Sequence, residues 1–307
     1  METEHLQKPA SKPQFLTRWA IFPDLRHLNH AYWFRLILTE DETTTELRYK
    51  VLIRFLKKQT QESAIVSIDR VSDVYINDEL PDLPVDRLAY ESGKVFYPVI
   101  MEIDEKMNLL GIRNHEQIVS RWEKIQPDLR RYFTGDEANR YLNRMDEMIM
   151  SAKSLEALFE KELFIRFYFY TAYMNYTHQF EIRTEVAFPI GNYAPVLFDV
   201  KNRLLNVLNK DGFKEITQEG IEVRKTFGPD LEKEGKNTYS AHFVLNAGTN
   251  ILREAKAEWN FRSPFQKKIQ LILFPLRQAV SSIPIVEQEN KWDENKNKGF
   301  FSRIFGI

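Results

Sequence analysis

Few residues in this chain are of the type and spacing that do chemistry. His27 and His30 stand three apart with Asp24 just upstream, and a His-x-x-His spacing can set two imidazoles on one metal ion with a carboxylate as third ligand. Pro23 and Asn29 mark the stretch as a bend, however, and histidines near Trp and Tyr are more often structural than ligating. His115 and Glu116 form a second pair at the start of an amphipathic run, where the helix dipole favours an acid. General acid-base work is conceivable there, but a surface helix start is the plainer reading. His178 and His242 read as members of different strands, and nothing in the sequence brings them together.

The common catalytic signatures are absent. There is no Gly-x-Ser-x-Gly, His-Glu-x-x-His, Walker-type or dinucleotide-binding glycine motif, and with 11 glycines a phosphate-cradling loop is poorly supported. A chain with no Cys has no disulfides, thiolate metal sites or cysteine nucleophiles. No catalytic residue, metal or cofactor is therefore assigned, and the expectation leans away from an enzyme.

The strongest functional signal is a greasy peptide beyond a polar spacer. Glu287 to Lys298 is almost wholly polar and reads as a flexible linker, yet it is followed by Gly299-Phe-Phe-Ser-Arg-Ile-Phe-Gly-Ile307. Phe300, Phe301, Ile304 and Phe305 would share one face of a short helix, with Ser302 and Arg303 opposite. The expectation is a docking peptide, with Phe300, Phe301, Arg303, Ile304 and Phe305 as its partner-binding residues. The competing readings are that it folds back onto its own domain, or that it touches a membrane, for which it lacks both length and a basic cluster.

Composition narrows the partners. Lys plus Arg number 43 against 44 Asp plus Glu, a formal charge of −1, so no global basic field draws the chain onto nucleic acid. Basic residues do have aromatic neighbours at Arg166 to Tyr170 and Tyr49 to Phe55, but there they alternate as the wet face of a sheet or helix requires. Met145, Met148 and Met150 read as a pliable helix contact, with a promiscuous binding groove as the alternative. Met1 to Gln14 lacks the basic start and apolar middle of a secretory signal, and no apolar run reaches the eighteen or so residues of a membrane span. A cytoplasmic protein without an integral membrane segment is expected.

The elements that must carry these residues are read from periodicity. Residues 1–30 form an irregular lead-in. Residues 31–112 alternate with period two, through Tyr32 to Leu38, Leu47 to Phe55, Ala64 to Val71, Asp73 to Asn77, Val95 to Ile103 and Leu109 to Ile112, as a meander of roughly six strands. Leu80 to Pro84, with two prolines, is expected to cross an edge.

Residues 113–170 switch to helical spacing. Asn114 and Gln117 fit a capping box before Ile118, Val119, Trp122, Ile125 and Leu129. Gly135 and Asp136 re-cap the chain for a second helix through Tyr141, Leu142, Met145, Met148 and Ile149, so the two form a hairpin. A third run goes from Ser154 through Phe159 into the aromatic stretch Phe164 to Tyr170. Trp122 and Phe159 are the helix residues expected deepest.

Residues 171–284 return to alternation. Phe180 to Phe188 is followed by Val196 to Leu208, where strand is preferred to helix, then by Asp211-Gly212 as a hairpin turn. The clearest hairpin joins Tyr239–Leu245 to Ala255–Phe261, and Lys267 to Phe274 is a last strand. Residues 285–307 are the linker and docking peptide.

The fold class expected is α+β: two antiparallel β-meander blocks flanking a central helical hairpin insert, as two halves or one continuous body. The function expected is a non-catalytic binding or assembly protein that offers its tail, and an exposed sheet edge, to a larger complex of the kind formed by bacterial secretion or envelope-linked machines, for which the sequence carries no signature. The alternatives are a carrier of a lipid or other apolar ligand between curved sheet and helices, and an enzyme of unrecognised type.

Overall fold

The computed structural model describes residues 13–170, 172–190, 193–223, 236–262 and 266–276. After a 3-10 turn at Leu25–His27 the chain runs through β1 (Asn29–Glu40), β2 (Thr43–Lys58), β3 (Ser63–Arg70) and the two-residue β4 (Tyr75–Ile76). Helix α1 (Pro84–Gly93) and a 3-10 turn at Lys94–Phe96 precede β5 (Val99–Asp104) and β6 (Leu109–Ile112). Four helices follow: α2 (His115–Tyr132), α3 (Asp136–Met150), α4 (Ala152–Lys161) and α5 (Leu163–Tyr170). The chain then completes β7 (Glu181–Ile190), β8 (Tyr193–Leu204), β9 (Phe213–Glu222), β10 (Thr238–Asn246), β11 (Leu252–Phe261) and β12 (Lys267–Pro275).

The class is α+β, but the two β blocks are not two sheets. They are parts of one 12-stranded sheet of order β6-β5-β3-β2-β1-β12-β11-β10-β9-β8-β7, with β4 pairing β2 off that path. The seam is the antiparallel pairing of β1 with β12, from Tyr32 opposite Pro275 to Glu40 opposite Lys267. It joins segments more than two hundred residues apart in sequence, so no local pattern announces it. Within each half the meander is local, as in β10 and β11, which pair from Thr238 opposite Asn260 to Leu245 opposite Leu252.

The sheet is bent around the last two helices. Laid flat, eleven strands would put β6 and β7 ~48 Å apart at the usual strand spacing. Yet Glu156 of α4 accepts the Ile112 amide of β6 at 3.3 Å, and Arg166 of α5 donates to the Ala187 carbonyl of β7. Those two side chains start ten residues apart, a stretch of chain that spans at most about 36 Å, so the two ends of the strand path curl towards one another around α4 and α5. The approach is close at Gly111, where a Cβ would meet the Glu156 carboxylate at 3.2 Å and the Glu156 side chain would have to give way by a few tenths of an ångström.

What fills the curl is the aromatic helix. Phe164, Ile165, Phe167, Tyr168 and Phe169 of α5 are all at most 2% exposed. Phe164 meets Phe34 edge-on and Tyr168 meets Tyr32 on β1, while Phe167 packs on Phe243 of β10 and Trp259 of β11. α5 therefore lies across the seam and contacts both halves of the sheet. Trp122 and Phe159 are buried as expected, at 1% and 2% exposure.

Several local expectations are corrected. Leu80 to Pro84 leads into helix α1, because Pro84 sits at the first helical turn, where its missing amide costs nothing, and Leu88, Ala89 and Tyr90 then bury. Val95 lies in a 3-10 turn, and Pro98 offers no amide to a ladder, so β5 starts only at Val99. Asn114 makes no side-chain cap. Its Oδ1 accepts the Ile100 amide at 2.9 Å and its Nδ2 donates to the Pro98 carbonyl at 2.8 Å, tying the start of α2 to β5. Gly135, not Asp136, occupies the cap position of α3. The third helical run breaks at Glu162, whose backbone is extended (ψ 128) and whose carboxylate accepts the Ile165 amide at 2.7 Å, ending α4 and starting α5.

Candidate functional site

Asp24 is engaged by Arg26 and His27, and Asp24, His27 and His30 are not grouped as a set of metal ligands. Both oxygens of Asp24 are engaged by Arg26, from Nε at 2.9 Å and Nη2 at 2.8 Å, and His27 Nδ1 lies 3.1 Å away. The Arg26 hydrogen bond holds the Asp24 carboxyl down to about 2. His30 opens β1, and burial lowers its pKa. Among the described residues no group of three or more His, Asp or Glu is placed to hold a metal.

The other histidines are dispersed. His115 reaches the Ile149 carbonyl with Nε2 at 2.7 Å, joining the start of α2 to the end of α3 rather than working with Glu116. His178 is exposed in the turn before β7, not in a strand, and His242 on β10 lies 3.7 Å from Glu215. Met145 is buried, Met148 half-buried and Met150 exposed, so they do not make one open apolar face. The expected partner-binding residues Phe300, Phe301, Arg303, Ile304 and Phe305 lie outside the described residues.

Sequence reasoning missed a cluster of buried and half-buried phenols around Arg70. Its guanidinium carbon lies 5.9 Å from the ring centres of Tyr49 and Tyr90 and 5.1 Å from that of Tyr97. Beside them sits the Glu162 carboxylate, which accepts the Tyr49 hydroxyl at 3.5 Å. Desolvation raises the pKa of Glu162, and burial likewise raises those of Tyr49, Tyr90 and Tyr97. A second phenol group ties α5 to the seam: Tyr32 donates to the Leu252 carbonyl at 2.5 Å and lies 3.3 Å from the Tyr168 hydroxyl, while Tyr173 accepts the Leu252 amide at 3.1 Å. These groups have structural partners; alternation along a strand shows which face they occupy, but not which helix meets it.

Two cavities border the second half of the sheet. One, of about 790 Å³, is bordered by β9, β10 and β11 and mixes charges, among them Glu215, His242, Arg253 and Lys256. Arg253 there lies 4.4 Å over the Phe213 ring. The other, of about 420 Å³, lies where α4 and α5 meet β7, β8 and β9, and its wall includes Arg166, Phe188, Asn202 and Gln218. Asn202 is 1% exposed. Its position inside a strand that sequence alone leaves ambiguous with helix gives no hint of a cavity.

No helix among the described residues is long and apolar enough to cross a membrane. Compared with known proteins, the chain matches no family model and no curated protein.

Proposed function

We propose that this chain is a non-catalytic binding protein whose C-terminal peptide, Phe300 to Phe305, is gripped by a protein partner in a larger assembly, while the curved sheet and its helical hairpin of α2 and α3 serve as scaffold. The observation that supports this reading is that the aromatic side chains of α5 fill the inside of the curl where it crosses the seam. Phe164, Phe167, Tyr168 and Phe169 pack there at no more than 2% exposure, where the alternative, a lipid carrier, needs room. The last described strand before the tail is held on both sides: β12 pairs with β1 and β11, and the Leu276 amide donates to the Ala31 carbonyl at 2.9 Å. A bacterial secretion or envelope-linked machine is the kind of assembly such a scaffold would suit.

The test removes residues 298–307 and, separately, fuses them to an unrelated carrier protein. The docking reading expects the fused peptide to retain the same partner as the full chain, the truncated chain to lose it, and the thermal midpoint to stay unchanged. A midpoint lowered by several degrees would mean that the peptide belongs to its own core.

A further inference from the structure

Beyond the tail, we propose that the outer face of the sheet at the β1–β12 seam is a self-association surface, on which a second copy of this chain packs about a two-fold axis running along the seam. Tyr32, Phe34 and Leu36 of β1 and Leu271 and Leu273 of β12 turn inward and are at most 2% exposed. Side chains alternate along a strand, so Trp33, Ile37, Ile272 and Phe274 stand on the opposite face, where they form an apolar strip that is only half-buried. Trp33 and Phe274 are cross-strand partners with ring centres 6.5 Å apart. Since α5 fills the inner side of the curl, this face is the convex one, and contact with a second body falls on the strands nearest the seam.

The occupant follows from what flanks the strip. On β2, Lys50 is opposite Trp33 and lies 4.8 Å over its ring. On β11, Ala255 is opposite Leu273, so Glu254 comes level with Phe274. One level of the sheet therefore reads Lys50, Trp33, Phe274, Glu254, with the seam in its middle. Glu254 meets Arg253 only loosely, at 3.9 Å. A two-fold rotation about the seam lays this level on its own reverse: Trp33 of one copy lands on Phe274 of the other, and Lys50 lands on Glu254, each contact twice. An isologous interface requires that self-complementarity. One level along, Arg48 comes over Lys256, but Arg48 already pairs with Asp78 at 2.7 Å, and that carboxylate, 74% exposed, can meet the incoming lysine as well.

The wider face has the same polarity. Charged residues facing out on β1 and β2, up to Phe55, are Arg35, Arg48, Lys50 and Arg54 against Glu46. On β9 to β11 they are Glu215, Glu219, Glu254 and Glu258 against Arg253 and Lys256. The same rotation turns the basic side of one copy over the acidic side of the other.

Sedimentation velocity of the full chain over a wide range of concentration should show a monomer–dimer equilibrium. Trp33→Glu should weaken it at least about thirtyfold, the loss expected for a central aromatic anchor. Lys50→Glu and Glu254→Lys should each weaken self-association at least about tenfold, because each sets two like-charge contacts in the dimer. Mixed in equal amounts, those two variants should form a heterodimer about as tight as the parent dimer, since both contacts become attractive again. Within one chain the two positions are three strand spacings apart, ~14 Å, beyond the screening length at physiological salt, so recovery on mixing reports contact between copies and not repair of a fold. A chain that stays monomeric at every concentration, a Trp33→Glu variant that self-associates like the parent, or a mixture no tighter than either variant alone would overturn the proposal. The chain lacking residues 298–307 should dimerise as the full chain does. Loss of its dimer would mean that the tail joins the copies and would also overturn the proposal, whereas tail docking is read separately, from retention of its partner.

Discussion

At the residue scale, polar side chains in this protein do their work by joining elements. Asn114 serves as a bracket between α2 and β5, and His115 bonds α3, though both look from sequence like helix-start residues with local tasks. Glu162 is the sharpest case. It ends one helix, starts the next and takes a phenol hydroxyl, all from a desolvated position that raises its pKa above the ordinary 4.5. A carboxyl that holds its proton more tightly when folded adds stability below its unfolded pKa and loses that contribution as pH rises through the folded value. Unfolding of the parent and of Glu162→Gln, measured from about pH 4 to pH 7, should therefore show the parent falling behind the variant as pH increases. A constant gap, or one that grows in the parent's favour, would contradict the assignment.

At the element scale, α2 and α3 are held by an apolar contact set, by the Asp146 carboxylate and by the bonds of His115 to the Ile149 carbonyl and of Arg130 to Asn143. Trp122 is 1% exposed and donates Nε1–H to Asp146 at 2.7 Å, and Arg130 donates to the same carboxylate at 2.5 Å. Trp122→Ala removes a large buried ring and leaves Asp146 one donor short, so it should cost about 3–5 kcal/mol in urea unfolding. An unchanged midpoint would mean that α2 turns a different face inward. The edge strands are handled by the same helical segment. Glu156 and Arg166 each engage an edge strand's backbone, which takes up some of the hydrogen-bonding capacity that open edges present to other chains.

At the scale of the whole molecule, the seam decides cooperativity. β1 and β12 join the halves, and α5 packs on Phe34 from one and on Phe243 and Trp259 from the other, so among the described residues the two halves share one continuous apolar cluster. Denaturant unfolding should proceed in a single transition, and native-state hydrogen exchange should give amides in the middle of β2 and of β10 the same opening free energy. Two separated transitions would show that the halves fold independently.

The sequence by itself determined the order and type of most elements. Alternation located β1, β2, β10, β11 and β12, helical spacing located α2 and α3 and buried Trp122 and Phe159, and the Asp211-Gly212 pair marked its turn, with Gly212 at φ 80. Those features depend on neighbours within a few residues, and side-chain period and turn chemistry report them directly. Only the tertiary structure decided that the two β blocks are one sheet, that it bends around α4 and α5, that Asn202 is buried and that Glu162 is half-buried and desolvated. Each depends on contacts between distant segments, such as Tyr32 opposite Pro275 or Arg166 against Ala187, and pattern within a segment carries no record of which other segment will meet it.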